Sequence, residues 1–97
     1  MIRKAYLKKV EAKFEDWEEE LSRLGAKAEK AEASARAMYV EQMALVRSKQ
    51  KAALARIRDV REAGADNWGK FKSGVDESMS DLKKTVEEAI EKLRKIA

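Results

Sequence analysis

The amino-acid sequence predicts an all-α protein, a helical hairpin or coiled coil with one long N-terminal helix and one shorter C-terminal helix. Three observations carry this. No proline occurs in 97 residues, 41% of the residues are charged, and apolar side chains recur every three or four positions almost throughout. That combination is the signature of long amphipathic helices. The only cluster of turn formers is Ala63-Gly64-Ala65-Asp66-Asn67-Trp68-Gly69. The chain therefore reads as a single helical domain over 1–97, with a helix at about 2–63, a turn at 64–67 and a helix at about 68–96.

In the first helix, Leu7, Val10, Phe14, Trp17, Leu21, Leu24, Ala28 and Ala31 alternate in steps of three and four, a heptad seam. The stripe continues through Ala35, Tyr39, Met43, Val46, Gln50, Ala53, Ile57 and Val60, where consecutive steps of four insert a stutter that unwinds a coiled coil without ending the helix. Gly25 is the one candidate break inside this segment, and an interior glycine costs only about 1 kcal/mol against alanine. A continuous helix over this span would be about 90 Å long at 1.5 Å per residue.

At the turn, Gly64 suits a left-handed cap on the first helix, and Asp66 or Asn67 offers a side-chain oxygen to the free amides of the next. Trp68 then begins a second stripe through Phe71, Val75, Met79, Leu82, Val86, Ile90, Leu93 and Ala97, an eleven-residue period that suits a nearly straight helix. Glu88 with Lys92 and Glu91 with Lys95 add oriented i,i+4 pairs.

A tight turn folds the second helix antiparallel along roughly 39–63 and leaves the aromatic seam at Phe14 and Trp17 without an intramolecular cover. A homodimer answers this. Two long helices crossing antiparallel about a point between Ala33 and Ser34 place Leu7 opposite Val60, Phe14 opposite Ala53, Leu21 opposite Val46 and Ala28 opposite Tyr39. Each end is then a three-helix bundle completed by the partner. The acidic run Glu15 to Glu20 lies beside the basic run Arg47 to Lys51 in the same register. The expected self-association seam is Leu7, Val10, Phe14, Trp17, Leu21, Leu24, Ala28, Tyr39, Val46, Ile57 and Val60. A monomeric three-helix bundle bent near Gly25 is the rival arrangement.

Composition narrows the function classes. The chain contains neither histidine nor cysteine, so the commonest general base, the usual nitrogen ligand for metals and any disulfide are all missing. Glu15, Glu18 and Glu19 share a helical side and read as a solvated acidic face, because carboxylate di-metal centres in bundles add a Glu-x-x-His element. Tyrosine, lysine and serine occur without an adjacent base or a phosphate-cradling glycine loop. The expectation is a protein that is not an enzyme and has no metal, cofactor or small-molecule substrate. Charges within the first nine residues interrupt any apolar signal core, no stretch reaches the roughly 20 apolar residues of a membrane span, and a cytoplasmic location is expected.

Two other partner classes are open. The basic stretch 47–61 offers Arg47, Lys51, Arg56, Arg58 and Arg61 as anion contacts, which would bind nucleic acid without sequence preference and with strong salt dependence. Against this, the same charges flank the seam and face the acids of Glu15 to Glu20 and Asp76, Glu77 and Asp81, which makes nucleic acid the weaker reading. The C-terminal helix sets Trp68, Phe71, Leu82 and Ile90 on a face edged by lysines, as a membrane-surface helix does, but a bundle needs that same face.

Three segments also bear a resemblance: Phe14-Glu15-Asp16-Trp17-Glu18-Glu19-Glu20-Leu21, Ala33-Ser34-Ala35-Arg36-Ala37-Met38-Tyr39, and Ala63 through Val75 at the hairpin. With them the chain, over nearly its whole length, resembles a bacterial family of small coiled-coil proteins described as stress-response proteins and first noted in cyanobacteria. The resemblance implies a bacterial, cytoplasmic, stress-associated protein and brings no catalytic residues with it.

Overall fold

A computed structural model describes residues 2–64 and 66–96 as three α-helices, α1 (Ile2–Glu29), α2 (Ala33–Glu62) and α3 (Gly69–Ile96). Ala65 of the expected turn and Ala97 of the expected stripe lie outside the described residues. The helices run up, down and up in a rod of 52 × 18 × 17 Å. α2 and α3 pack closely along their length, and α1 lies on the pair with far fewer close approaches.

The single helix expected over 2–63 is two helices. Its break falls at Lys30, Ala31 and Glu32, not at Gly25. The Lys30 and Ala31 amides close the end of α1 with tightened bonds to the carbonyls of Lys27 (3.2 Å) and Ala28 (3.1 Å). Glu32 then takes an extended conformation, φ −64° and ψ 160°, and α2 begins without a side-chain cap. Nothing in the local chemistry demands this turn, since the three residues include no glycine, proline, asparagine or serine. The driving force is burial: folding α1 back onto α2 and α3 removes the aromatic seam from water within one chain.

The core follows most of the two stripes, with Ala89 added beside the second. Val10, Leu21, Leu24 and Ala28 of α1 are buried, as are Ala35, Val46, Ala53, Ile57 and Val60 of α2 and Val75, Met79, Leu82, Val86, Ala89 and Leu93 of α3. Leu7, Phe14, Trp17, Met43, Trp68 and Ile90 are half-buried against this cluster. Phe14 and Trp17 meet edge to face at 6.2 Å between ring centroids. Phe71 departs from its expected place in the stripe and is 42% exposed.

Gly25 sits inside α1 and is buried for a steric reason. A Cβ there would come within 2.6 Å of the Tyr39 Oη and 2.7 Å of its Cζ. The glycine lets the Tyr39 ring lie directly on the α1 backbone. Gly25→Ala gains about 1 kcal/mol of helix propensity but displaces that ring. The expected result is no gain in the native chain and a gain of about 1 kcal/mol in a Tyr39→Ala background. Denaturant titration of the four chains of this double-mutant cycle measures the coupling, and simple additivity would contradict the contact.

The second connection differs from its expected chemistry. No glycine with positive φ occurs among the described residues, so Gly64 is not a left-handed cap. α2 ends on Ala63 in extended geometry (φ −70°, ψ 147°), its amide bonded to the Asp59 carbonyl. The Gly64 carbonyl then accepts the amides of Asn67 (2.9 Å) and Trp68 (3.1 Å). Among the described residues neither Asp66 nor Asn67 makes the expected side-chain cap bond, and this backbone turn closes the connection. Arg3 of α1 completes the junction by donating Nη1 to the Ala63 carbonyl at 2.6 Å, satisfying a helix-end oxygen from another element.

Candidate interaction surface

Around the apolar core, polar side chains fix how α1 sits on the other helices. Arg47 of α2 donates to both carboxylate oxygens of Glu18, and its Nη1 also reaches Gln50 Oε1 at 2.6 Å. Arg61 pairs with Glu11, and Arg94 of α3 pairs with Glu20 at 2.9 Å, where Arg23 also donates. Hydrogen bonding and charge from Arg47 hold the Glu18 carboxyl below its ordinary range, and Arg23 does the same for Glu20 with help from Arg94. These pairs stand on the protein surface, so each adds little stability and serves mainly to select register.

Their register is the one the charge pattern predicts. The acidic run of α1 meets the basic run of α2 through Glu18 and Arg47, and Gly25 receives Tyr39 close to the expected pairing of Ala28 with Tyr39. The expected self-association seam is therefore assembled within one chain: Val10, Leu21, Leu24, Ala28, Val46, Ile57 and Val60 are core, and Leu7, Phe14, Trp17 and Tyr39 are half-buried. The premise that Phe14 and Trp17 lack an intramolecular partner does not hold.

Near the α2–α3 connection, Tyr6 does work that apolar periodicity does not reveal. Its hydroxyl donates to Asp76 Oδ1 at 2.6 Å, its ring lies 5.7 Å from that of Trp68, and Lys72 Nζ sits 5.5 Å from the ring centroid. Burial, then the hydrogen bond to Asp76 and its negative charge, push the phenol well above its ordinary value near 10. Because the folded phenol holds its proton more tightly, this link is fully present below about pH 10 and is lost as pH rises above it. Tyr6→Phe is expected to flatten that alkaline fall in stability, measured by denaturant titration across pH. An unchanged alkaline slope would contradict the Tyr6–Asp76 link.

The expected anion contacts do not form one patch. Arg47 and Arg61 are engaged by α1 carboxylates, and the Arg56 side chain passes along Gly74, its Cδ 3.4 Å from where a Cβ would stand. Lys51 and Arg58 remain on the outer face of α2, lining a shallow groove of about 410 Å³ with Leu54 and Ala55. On the same side of α2, Val40 is 67% and Leu54 51% exposed. An open cleft of about 510 Å³ lies where α1 and α2 approach the Lys30–Glu32 break, lined by Gly25, Ala28, Arg36, Tyr39 and Val40 among others. Among the described residues no acidic cluster is arranged to hold a metal ion, and no helix is long and apolar enough to cross a membrane.

Of the apolar face expected to contact lipid, Leu82 is 1% exposed and Trp68 and Ile90 are half-buried in the core, while Phe71 is 42% exposed. Gln42 is a residue the stripes do not mark, a polar side chain only 3% exposed whose Nε2 approaches Met38 Sδ at 3.9 Å. No family model, curated protein or solved structure matches the chain.

Proposed function

We propose that this protein is a non-enzymatic helical interaction module that self-associates as a homodimer, with a cytoplasmic, stress-associated role as its resemblance implies. One observation carries the interaction reading. The outer face of α2 keeps Val40 and Leu54 exposed beside Lys51 and Arg58, while the core apolar residues of all three helices pack together. Such a face supports contact with another macromolecule rather than enclosure of a substrate. Light scattering across chain concentrations tests it. A mass rising from 11.0 kDa towards twice that value is expected, and a constant 11.0 kDa would reject self-association.

A second reading has one supporting feature, the apolar and basic groove of Lys51, Leu54, Ala55 and Arg58, which suits an anionic lipid surface. Flotation with anionic and neutral vesicles tests it. Binding to anionic vesicles at low salt that weakens in Lys51→Glu/Arg58→Glu is expected on this reading, and no flotation would reject it.

A further inference from the structure

We infer that the partner of this protein is a second copy that exchanges α1, with Lys30-Ala31-Glu32 acting as the hinge between a closed monomer and an exchanged dimer. The inference rests on the self-association reading above and places the contact between copies at α1 and the hinge, leaving the outer face of α2 free for other contacts.

Four features of the structure converge on this exchange. The hinge is held by packing and not by turn chemistry: it contains helix-compatible residues, and no side chain caps the start of α2. The buried seam passes through it at helical spacing, from Ala28 to Ala31 to Ala35, so straightening the hinge leaves the core faces of α1 and α2 on one stripe. α1 is the helix with the fewest close approaches to its neighbours and so the easiest to release. Its contacts with α2 are antiparallel and symmetric about the hinge, from Gly25 against Tyr39 nearby to Glu11 against Arg61 and Arg3 against Ala63 far away.

Together these make the two states nearly equivalent in contacts. When two chains straighten, α1 of each lies on α2 and α3 of the other, and every pair named above is remade between chains. The exchange also gives intrahelical partners to the last carbonyls of α1 and the first amides of α2, which the closed form leaves at helix ends. Ala28, Ala31 and Ala35 fall where the two long helices cross, and their small side chains allow close approach. Opposing this is the entropy of joining two chains, so concentration sets the balance.

The Ala33 position separates the two states. Glu32 already has the extended conformation favoured before proline, Ala33 is the first residue of α2, and its amide makes no backbone hydrogen bond. Proline at 33 thus fits the closed hinge and obstructs a continuous helix. For a direct readout, the cysteine-free chain can carry Glu18→Cys/Arg47→Cys, positions that face each other in either state. The protein is refolded at low micromolar and at millimolar concentration and sized, and the cysteine variant is treated with a short bismaleimide.

Exchange predicts a dimer after concentrated refolding that dissociates slowly on dilution, bismaleimide links between chains, and at least about a tenfold lower dimer fraction in Ala33→Pro. A dimer whose links lie within each chain, or one that Ala33→Pro leaves unchanged, overturns exchange while self-association stands. A monomer under every condition overturns both. If Ala33→Pro does not fold, the cross-link in the native hinge still decides.

Discussion

Leu82→Ala is expected to destabilise the protein by about 2–5 kcal/mol, the range for removing a fully buried leucine from a core that collapses only partly. Leu82 is 1% exposed in the middle of α3, within the cluster formed with Val46, Ala53, Ile57, Val75, Met79 and Val86. It lies on the face where α2 and α3 pack most closely. Its loss therefore weakens the pair on which α1 rests. For a domain of about this size the melting temperature falls by roughly 4–8 °C per kcal/mol. Thermal unfolding followed by circular dichroism checks the fall, and a shift of only a degree or two would mean that the centre of α3 is not the core described above.

The second large effect is expected at Leu21, also 1% exposed but on the helix less closely packed against its neighbours. Leu21→Ala should cost a comparable 2–5 kcal/mol, with a different distribution along the chain. Leu21 is the largest fully buried side chain of α1, which is otherwise held by the smaller buried areas of Val10, Leu24 and Ala28, by half-buried aromatics and by exposed ion pairs. Truncation should release α1 first, so hydrogen exchange should show α1 amides losing protection before those of α2 and α3. Loss of protection that is uniform across the three helices would contradict the view of α1 as the detachable element. The same variant should disfavour both closed and exchanged states, because Leu21 packs in an equivalent site in each.

These two positions show how the residues divide in their legibility. Leu21 and Leu82 both fall on stripes of three- and four-residue steps, and periodicity alone marks them as core. So does the pairing of acidic α1 with basic α2 that brings Glu18 to Arg47. Tyr6 and Gln42 are not legible in this way. Tyr6 acquires its role from Asp76, 70 residues away, and Gln42 is polar and lies beside the stripe, so nothing in the apolar spacing marks it as buried. The anion contacts were visible as a run of basic residues, but a helix turns by about 100° per residue, and its neighbours engage Arg47, Arg56 and Arg61 while leaving Lys51 and Arg58 outside.

What the sequence by itself determined is the helical class, the two apolar stripes, the turn near Gly64 and the match of the acidic run around Glu18 to the basic run around Arg47, which it assigned to two chains and the structure forms within one. These follow from local spacing and charge order, which hold whatever the rest of the chain does. What only the tertiary structure decided is where the long helical segment folds. Lys30-Ala31-Glu32 carries no turn signal, and a straight helix there satisfies every local preference. The gain from covering Phe14, Trp17 and Leu21 accrues only when distant segments meet, and it outweighs the few backbone hydrogen bonds given up at the hinge. Gly25 shows the same division: the sequence reads the helix through it and gives the glycine no role, whereas the packed structure uses its missing side chain to seat Tyr39.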